Sequence, residues 1–411
     1  MNKKILEEKD LTIPIKYTGK CEKALDVWMQ RYTEILNKYS ADPELIQRVD
    51  SFRKSIARVF TEYYLGHQNR AYGIFWRALE KQVAGKGLVS SNLPRTALYR
   101  ARINTGDRDF PDDEMFHIPY NLRGKVTTQR FSFPGLPCLY LGGSSYVCWL
   151  ELNRPQLDQF QVATIWQVNQ NKAFSMIDLG IHPKKFLQEL EAREKNESTE
   201  HADLSLEDYL QWWPVIAMCS VKVEKEIDTF KPEYILPQFM LQYMLEKTKK
   251  EEYLGIKYLS IKAGKTSLKQ YEANEKFYTN YVIPIRSSAP NEKQLCPYLS
   301  MEFSVVRNYS GKELQVWTDM IRNNGMTYGE PLGELVIDEN DVIYGTNDDG
   351  FPYSKSVFSR IETILNSQID RNADNSVIKF ATMDEKKVEK MIDEKLKSKI
   401  RVEGSTLIIG D

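Results

Sequence analysis

The chain reads as an α+β protein, and three observations lead there. Residues from about 20 to 85 carry the three- and four-residue apolar step of amphipathic helices. From Ala97 the period drops to two, the signature of strands. Beyond residue 160, short strand-like runs alternate with charged helical ones. At 411 residues the chain is long for one ordinary core, so two or three domains are expected. We divide it into a helical N-terminal module at 1–90, a mixed-sheet region at 95–295 and an α/β C-terminal extension at 296–411.

A first helix is expected over Glu22–Lys38. Asp42-Pro43-Glu44 then starts a second: Asp caps, Pro fits the first turn and Glu faces the positive end of the dipole. Leu45, Val49, Phe52, Ile56, Val59, Phe60, Tyr63 and Tyr64 form its amphipathic stripe. Gly85-Lys86-Gly87 with Ser90-Ser91-Asn92 marks a boundary. Ala97–Ile103 alternates as a strand, with Arg100 and Arg102 on one face. Pro134-Gly135-Leu136-Pro137 makes a turn, and Cys138–Leu141 a short buried strand. Gly142-Gly143-Ser144-Ser145 opens a helix with a serine as N-cap, and Arg154-Pro155 ends it. On this helix Ser144 and Glu151 share a face, while Tyr146, Trp149 and Leu150 anchor it in the core.

Further along, Gln161–Val168 is a strand, and Pro183–Lys195 and Ser205–Ser220 are helices. Pro237 lies in the first turn of another helix, running to Glu246. Gly255–Ile261 and Asn280–Pro284 are strands joined by a polar loop. Past Pro297 the pattern is strand-rich to about Tyr344. Helices near Ser354–Asp370 and Asp384–Lys399 and a closing hairpin at Ile400–Ile409 follow.

Composition excludes several functions. The 56 basic and 57 acidic side chains leave a net charge of -1, which gives no global attraction to nucleic acid or anionic lipid. No apolar run is long enough for a membrane span, and the N-terminus has no apolar stretch of the secretory kind. The five cysteines are scattered and the four histidines lack ligand spacing, so no metal site is expected, and a reduced cytoplasmic protein is. His117, in an irregular Asp- and Pro-rich stretch, is either a ligand contact or a hydrogen-bonded core histidine.

The most informative segment runs from Thr127 to Glu151. Tyr140 follows Arg130 by ten residues, and Glu151 follows Tyr140 by eleven. A guanidinium for phosphate, a ring for stacking and an acid for a sugar make a nucleotide-cleaving set if the fold gathers them.

This segment resembles the RES domain family. The family pattern is Arg–aromatic–Asn, a Pro-Gly turn, a strand ending in Tyr, and a short helix with its Glu. Here the residues are Arg130-Phe131-Ser132, Pro134-Gly135, Tyr140 and Glu151. The family's opening strand ends in Tyr-Arg, as Tyr99-Arg100 does. Its late Ser and following Asn-containing strand correspond to Ser260 and Asn280, with Ser132 a rival for the Ser. Ser132 stands where the family has Asn, and no Val-Pro precedes Ser260.

The resemblance covers about residues 95–290 and implies an ADP-ribosyltransferase-like mixed sheet. It also implies an NAD+-consuming toxin, a glycohydrolase or phosphorylase, restrained by an inhibitory protein of antitoxin type. NAD+ is then a substrate and not a permanently held cofactor. Glu151 would stabilise an oxocarbenium-like ribose, Arg130 or Arg100 would take the pyrophosphate, and Tyr140 would face the nicotinamide. Ser260 would position the amide or an incoming phosphate. Tyr99, Ser132, Ser144 and Asn280 complete the expected binding set, the Ser144 helix start supplying N–H groups. ADP-ribosyl transfer to a macromolecule and a catalytically silent partner-binding module are the alternatives.

Overall fold

The computed structural model describes residues 2–83, 86–248, 252–262, 275–286, 295–314, 335–337, 342–344, 357–366, 400–403 and 406–409. The N-terminal stripe folds as three helices: α1 (Cys21–Lys38), α2 (Pro43–Tyr64) and α3 (Gln68–Val83). The Asp42 side chain accepts the Glu44 N–H and so caps α2 as its sequence requires. Leu45, Val49, Phe52, Ile56, Val59 and Phe60 are all buried on α2. At about 1.5–3 kcal/mol per buried side chain, this face contributes on the order of 10 kcal/mol before entropy is charged against it.

An eight-stranded mixed sheet forms the centre. Its strands are β1 (Ser90–Asn92), β2 (Leu98–Ile103), β3 (Cys138–Gly142), β4 (Phe160–Gln167), β5 (Ser175–Leu179), β6 (Gly255–Leu259), β7 (Thr279–Pro284) and β8 (Phe303–Tyr309). The order across the sheet is β1-β5-β6-β7-β3-β2-β4-β8. β5 and β6 are parallel and every other pair is antiparallel. The molecule is therefore α+β, as expected.

Helix α4 (Ser145–Glu151) follows β3, α5 (Pro183–Glu194) follows β5, and α6 (Leu206–Cys219) and α7 (Ile235–Lys247) precede β6. Ser205 caps α6 through the Asp208 N–H. From Tyr209 on, α6 is buried on every side, including Pro214, Trp212 and Trp213, as a helix in the middle of a large core must be. Helices α1–α3, α6 and α7 share one apolar core with the sheet face that carries Ile177, Ile256 and Val282. The opposite face, with Leu98, Leu139, Leu141, Tyr281 and Ile283, makes a second core with Phe116 and Leu299.

Several expectations shift. Ser90–Asn92, read as boundary, is an edge strand paired with β5. Pro297–Glu302, expected as strand, is a short helix, α8, with Pro297 in its first turn. Helix α9 (Val357–Asn366) and the hairpin β11–β12 (Ile400–Glu403, Thr406–Ile409) form where expected, and β9 (Leu335–Ile337) pairs with β10 (Val342–Tyr344). The helix expected at 384–399 lies outside the described residues. Among the described residues no helix is long and apolar enough to cross a membrane.

Candidate functional site

Strand register gathers the predicted residues. Tyr140 on β3 pairs with Val282 on β7, Gly142 with Asn280, and Asn280 with Tyr258 on β6. Partners across a sheet point to the same side, so Tyr140, Tyr258 and Asn280 share one face. α4 leaves β3 on that side, and the junction depends on Gly142. A Cβ there would lie 2.9 Å from the Ser144 carbonyl and 2.6 Å from Val147 Cγ1. The Pro134–Pro137 turn feeding β3 holds Gly135 at φ +82°, the left-handed region that favours glycine.

α4 then delivers Glu151. The Asn280 side-chain amide donates to Glu151 Oε1 at 2.9 Å, and Oε2 takes no partner among the described residues. Tyr140 is partly buried with its hydroxyl fully enclosed, and that hydroxyl makes no well-formed hydrogen bond among the described residues, Ser132 being the side chain that interacts with it. Burial first, and then the neighbouring Cys138 and Tyr258, push that phenol's pKa well up, so it stays protonated and able to donate. The same holds at Tyr258, where burial dominates, Glu151 adds to it and Arg130 opposes it. Tyr234 likewise feels burial first, then Arg130 and Glu151 with opposite signs. Arg130 and Glu151 thus bear on the same two phenols. Tyr234 and Tyr258 belong to the cluster although sequence reasoning passed over both.

Arg130 is spent differently from expectation. Its two terminal nitrogens donate to the carbonyls of Cys219 and Val221 at 2.9 and 2.8 Å, and its guanidinium lies 5.3 Å from the Tyr234 ring centroid. It holds the segment after α6 against the site and contributes its positive field. Arg100, the other guanidinium assigned to phosphate, is on the wrong side. Tyr99 pairs with Gly142 and shares the Tyr140 face, so alternation turns Arg100 to the opposite one. There it donates to the Tyr140 carbonyl at 3.3 Å, and burial lowers its pKa to about 10.

The serines divide. Ser260 is buried just past β6, its N–H bonded to the Tyr278 carbonyl and its Oγ accepting the Lys262 N–H at 3.3 Å. Ser132 sits in the tight bridge with Gln129 and donates to the Leu136 carbonyl at 3.1 Å. Ser144 caps α4 through Val147 N–H and donates to the Phe277 carbonyl at 2.7 Å. Both roles of its hydroxyl are filled, so it is a cap and not a free ligand group. The Ser145 N–H, expected to meet an external anion, donates to the carboxylate of Glu362 on α9 at 2.6 Å, and Ser145 Oγ donates to it at 2.9 Å. Tyr99's hydroxyl accepts from Asn366 at 2.7 Å.

His117 is a core histidine. Nε2 accepts the Cys296 N–H at 2.7 Å, Nδ1 meets the Ile118 carbonyl at 2.9 Å, and burial lowers its pKa to about 4.

A second polar cluster was invisible in the sequence. His201 Nε2 donates to Asp178 at 3.1 Å and Nδ1 to Glu189 at 3.1 Å. Lys257 bridges Asp178 and Glu200 at 2.9 and 2.8 Å. Burial alone would lower the His201 pKa, but the two carboxylates outweigh it and raise it to about 9. Burial would raise Asp178, but Lys257 and His201 hold it well below the usual carboxylate range. Asp178, Glu200 and His201 place ligand atoms within 4.8 Å of one another. The Lys257 ammonium already pairs with the two carboxylates of this set, and we read it as an ion network. It borders a cavity of about 410 Å³ that none of the predicted site residues lines.

Fold and site together define an α+β protein in which Asn280, Tyr140 and Tyr258 on one sheet face are joined by Glu151 from α4 and Tyr234 from the turn before α7. No protein-family model matches the chain, and no solved structure does. The chain is 31% identical over 368 residues to a Bacillus subtilis (strain 168) protein named Putative toxin YopC. That alignment spans 86% of this chain and 78% of the relative. The chain belongs to the family of that protein.

Proposed function

We propose that the protein is a toxin that consumes NAD+ by breaking the bond between nicotinamide and ribose. The relative's name supports the toxin role, and the RES-like order of Arg130, Tyr140, Glu151, Ser260 and Asn280 supports the substrate. One observation carries the chemistry. Asn280 fixes one oxygen of Glu151, the other takes no partner among the described residues, and on the same face the buried Tyr140 hydroxyl makes no well-formed hydrogen bond among them. A partly exposed carboxylate oxygen beside a buried phenol hydroxyl is an arrangement that a polar ligand would complete.

In the proposed reaction the C1′–N1 bond breaks and its electron pair returns to the pyridinium nitrogen, so nicotinamide leaves neutral. Glu151 stabilises the positive charge developing on the ribose and accepts a hydroxyl hydrogen bond. The oxygen of water or phosphate then bonds to C1′ and gives up its proton to solvent. Tyr140 donates to the nicotinamide end, and Tyr234 and Tyr258 supply apolar walls. An inhibitory protein is the matching partner.

The test is release of nicotinamide from NAD+ by purified protein, with and without phosphate. Glu151→Gln, which keeps the Asn280 contact, should lower kcat by about 10²–10³-fold. Equal turnover by the Gln variant would remove Glu151 from the mechanism. Label from NAD+ that stays on a macromolecule would replace cleavage with ADP-ribosyl transfer.

A further inference from the structure

A dinucleotide brings two phosphate charges, and both guanidiniums first assigned to them are otherwise engaged. Arg130 spends its terminal nitrogens on two carbonyls, and Arg100 lies behind the sheet. A different cation stands beside Glu151. Lys262 follows β6, two residues past Ser260, and its backbone N–H donates to Ser260 Oγ. Its ammonium reaches back over the end of α4, donating to the Glu151 carbonyl at 2.9 Å and to Asn153 Oδ1 at 2.6 Å.

The turn that arranges this is specific. Asn153 and Arg154 hold φ of 62° and 56°, left-handed values that fold the chain after α4 and bring the Asn153 amide oxygen to the same ammonium as the Glu151 carbonyl. Both acceptors are neutral. Among the described residues no carboxylate pairs with Lys262, in contrast to Lys257 one strand position before Tyr258, which bridges two. Among the described residues this half-buried ammonium has carbonyl partners alone, and a phosphate oxygen is a stronger acceptor than either.

We propose that Lys262 is the specificity-determining residue that reads the phosphate of the substrate, setting phosphorylated nicotinamide ribosides apart from unphosphorylated ones. This rests on the NAD+-cleaving reading above. It assigns recognition of the anion to the β6–α4 junction in place of Arg130 and Arg100.

The experiment compares Lys262→Met, Lys262→Arg and the unsubstituted protein on NAD+ and on nicotinamide riboside, which has the same scissile bond and no phosphate. For Lys262→Met, kcat/KM on NAD+ should fall about tenfold or more, mainly through KM, with nicotinamide riboside cleaved as before. Lys262→Arg should restore most of the loss. An equal fall on both substrates, or a fall confined to kcat, would make Lys262 a brace for α4 and overturn the proposal. Unchanged NAD+ kinetics would overturn it too. If the unsubstituted protein cleaves neither compound, the NAD+ reading fails first and the role of Lys262 with it.

Discussion

Lys257 and Tyr258 are neighbours on β6 and point to opposite sides of the sheet, into two polar clusters finished in different ways. On the Lys257 side, the ammonium meets Asp178 and Glu200, and His201 meets Asp178 and Glu189. Each buried charge there has an opposite charge in contact. On the Tyr258 side the pairing stops short among the described residues, with one oxygen of Glu151 and the hydroxyl of Tyr140 left over. A cluster that satisfies itself holds a fold together. One that leaves groups unsatisfied is shaped for something from outside.

The contrast can be broken at four points. The largest effect is expected at Lys257→Met, which leaves the buried Asp178 to share His201 with Glu189 and should cost about 3–5 kcal/mol in urea unfolding. NAD+ turnover per folded molecule should hold. A loss below about 1 kcal/mol would mean that the network contributes little to stability. Glu151→Gln should do the reverse, losing activity with the urea midpoint unmoved. Any large destabilisation would place Glu151 among the structural groups.

The third point is alkaline. His201's folded pKa is raised to about 9 from 6.5. Its stabilisation is therefore complete below about pH 6.5 and lost as pH rises through about 9, a decline of about 3 kcal/mol. Unfolding free energies between pH 6 and 9.5 should show this slope, and His201→Gln should flatten it. A slope that survives the substitution would clear His201. The smallest effect belongs to Tyr140→Phe. Removing a buried hydroxyl that makes no well-formed hydrogen bond among the described residues should leave stability equal or raise it by about 1 kcal/mol, while NAD+ turnover falls. A destabilised Phe variant would show that the hydroxyl is already paired within the protein.

Much of this was legible in the sequence, for local reasons. Asp42-Pro43-Glu44, the α2 stripe, the Pro134–Pro137 turn and the serine cap of α4 all act within a few residues. The Arg130–Tyr140–Glu151 spacing was legible for the same reason, since one turn, one strand and one helix fix it. Facing was not. Alternation put Arg100 and Arg102 together, but only the Tyr99–Gly142 pairing tells which face they take. Nor does sequence tell how a guanidinium is spent, and Arg130's carbonyl partners lie some ninety residues away. β5 was missed because Ser175 and Asp178 leave only three apolar residues among its five. Its network is assembled from β5, α5, the loop after it and β6, with no motif to announce it.

The contact between Glu362 and Ser145 spans more than two hundred positions, and with Phe358 against Tyr146 and Trp149 it fastens the short helix bearing Glu151. Translation must therefore pass Asn366 before that helix is secured. A chain still emerging from the ribosome, or one clipped ahead of Val357, would carry its acid on a loosened mount.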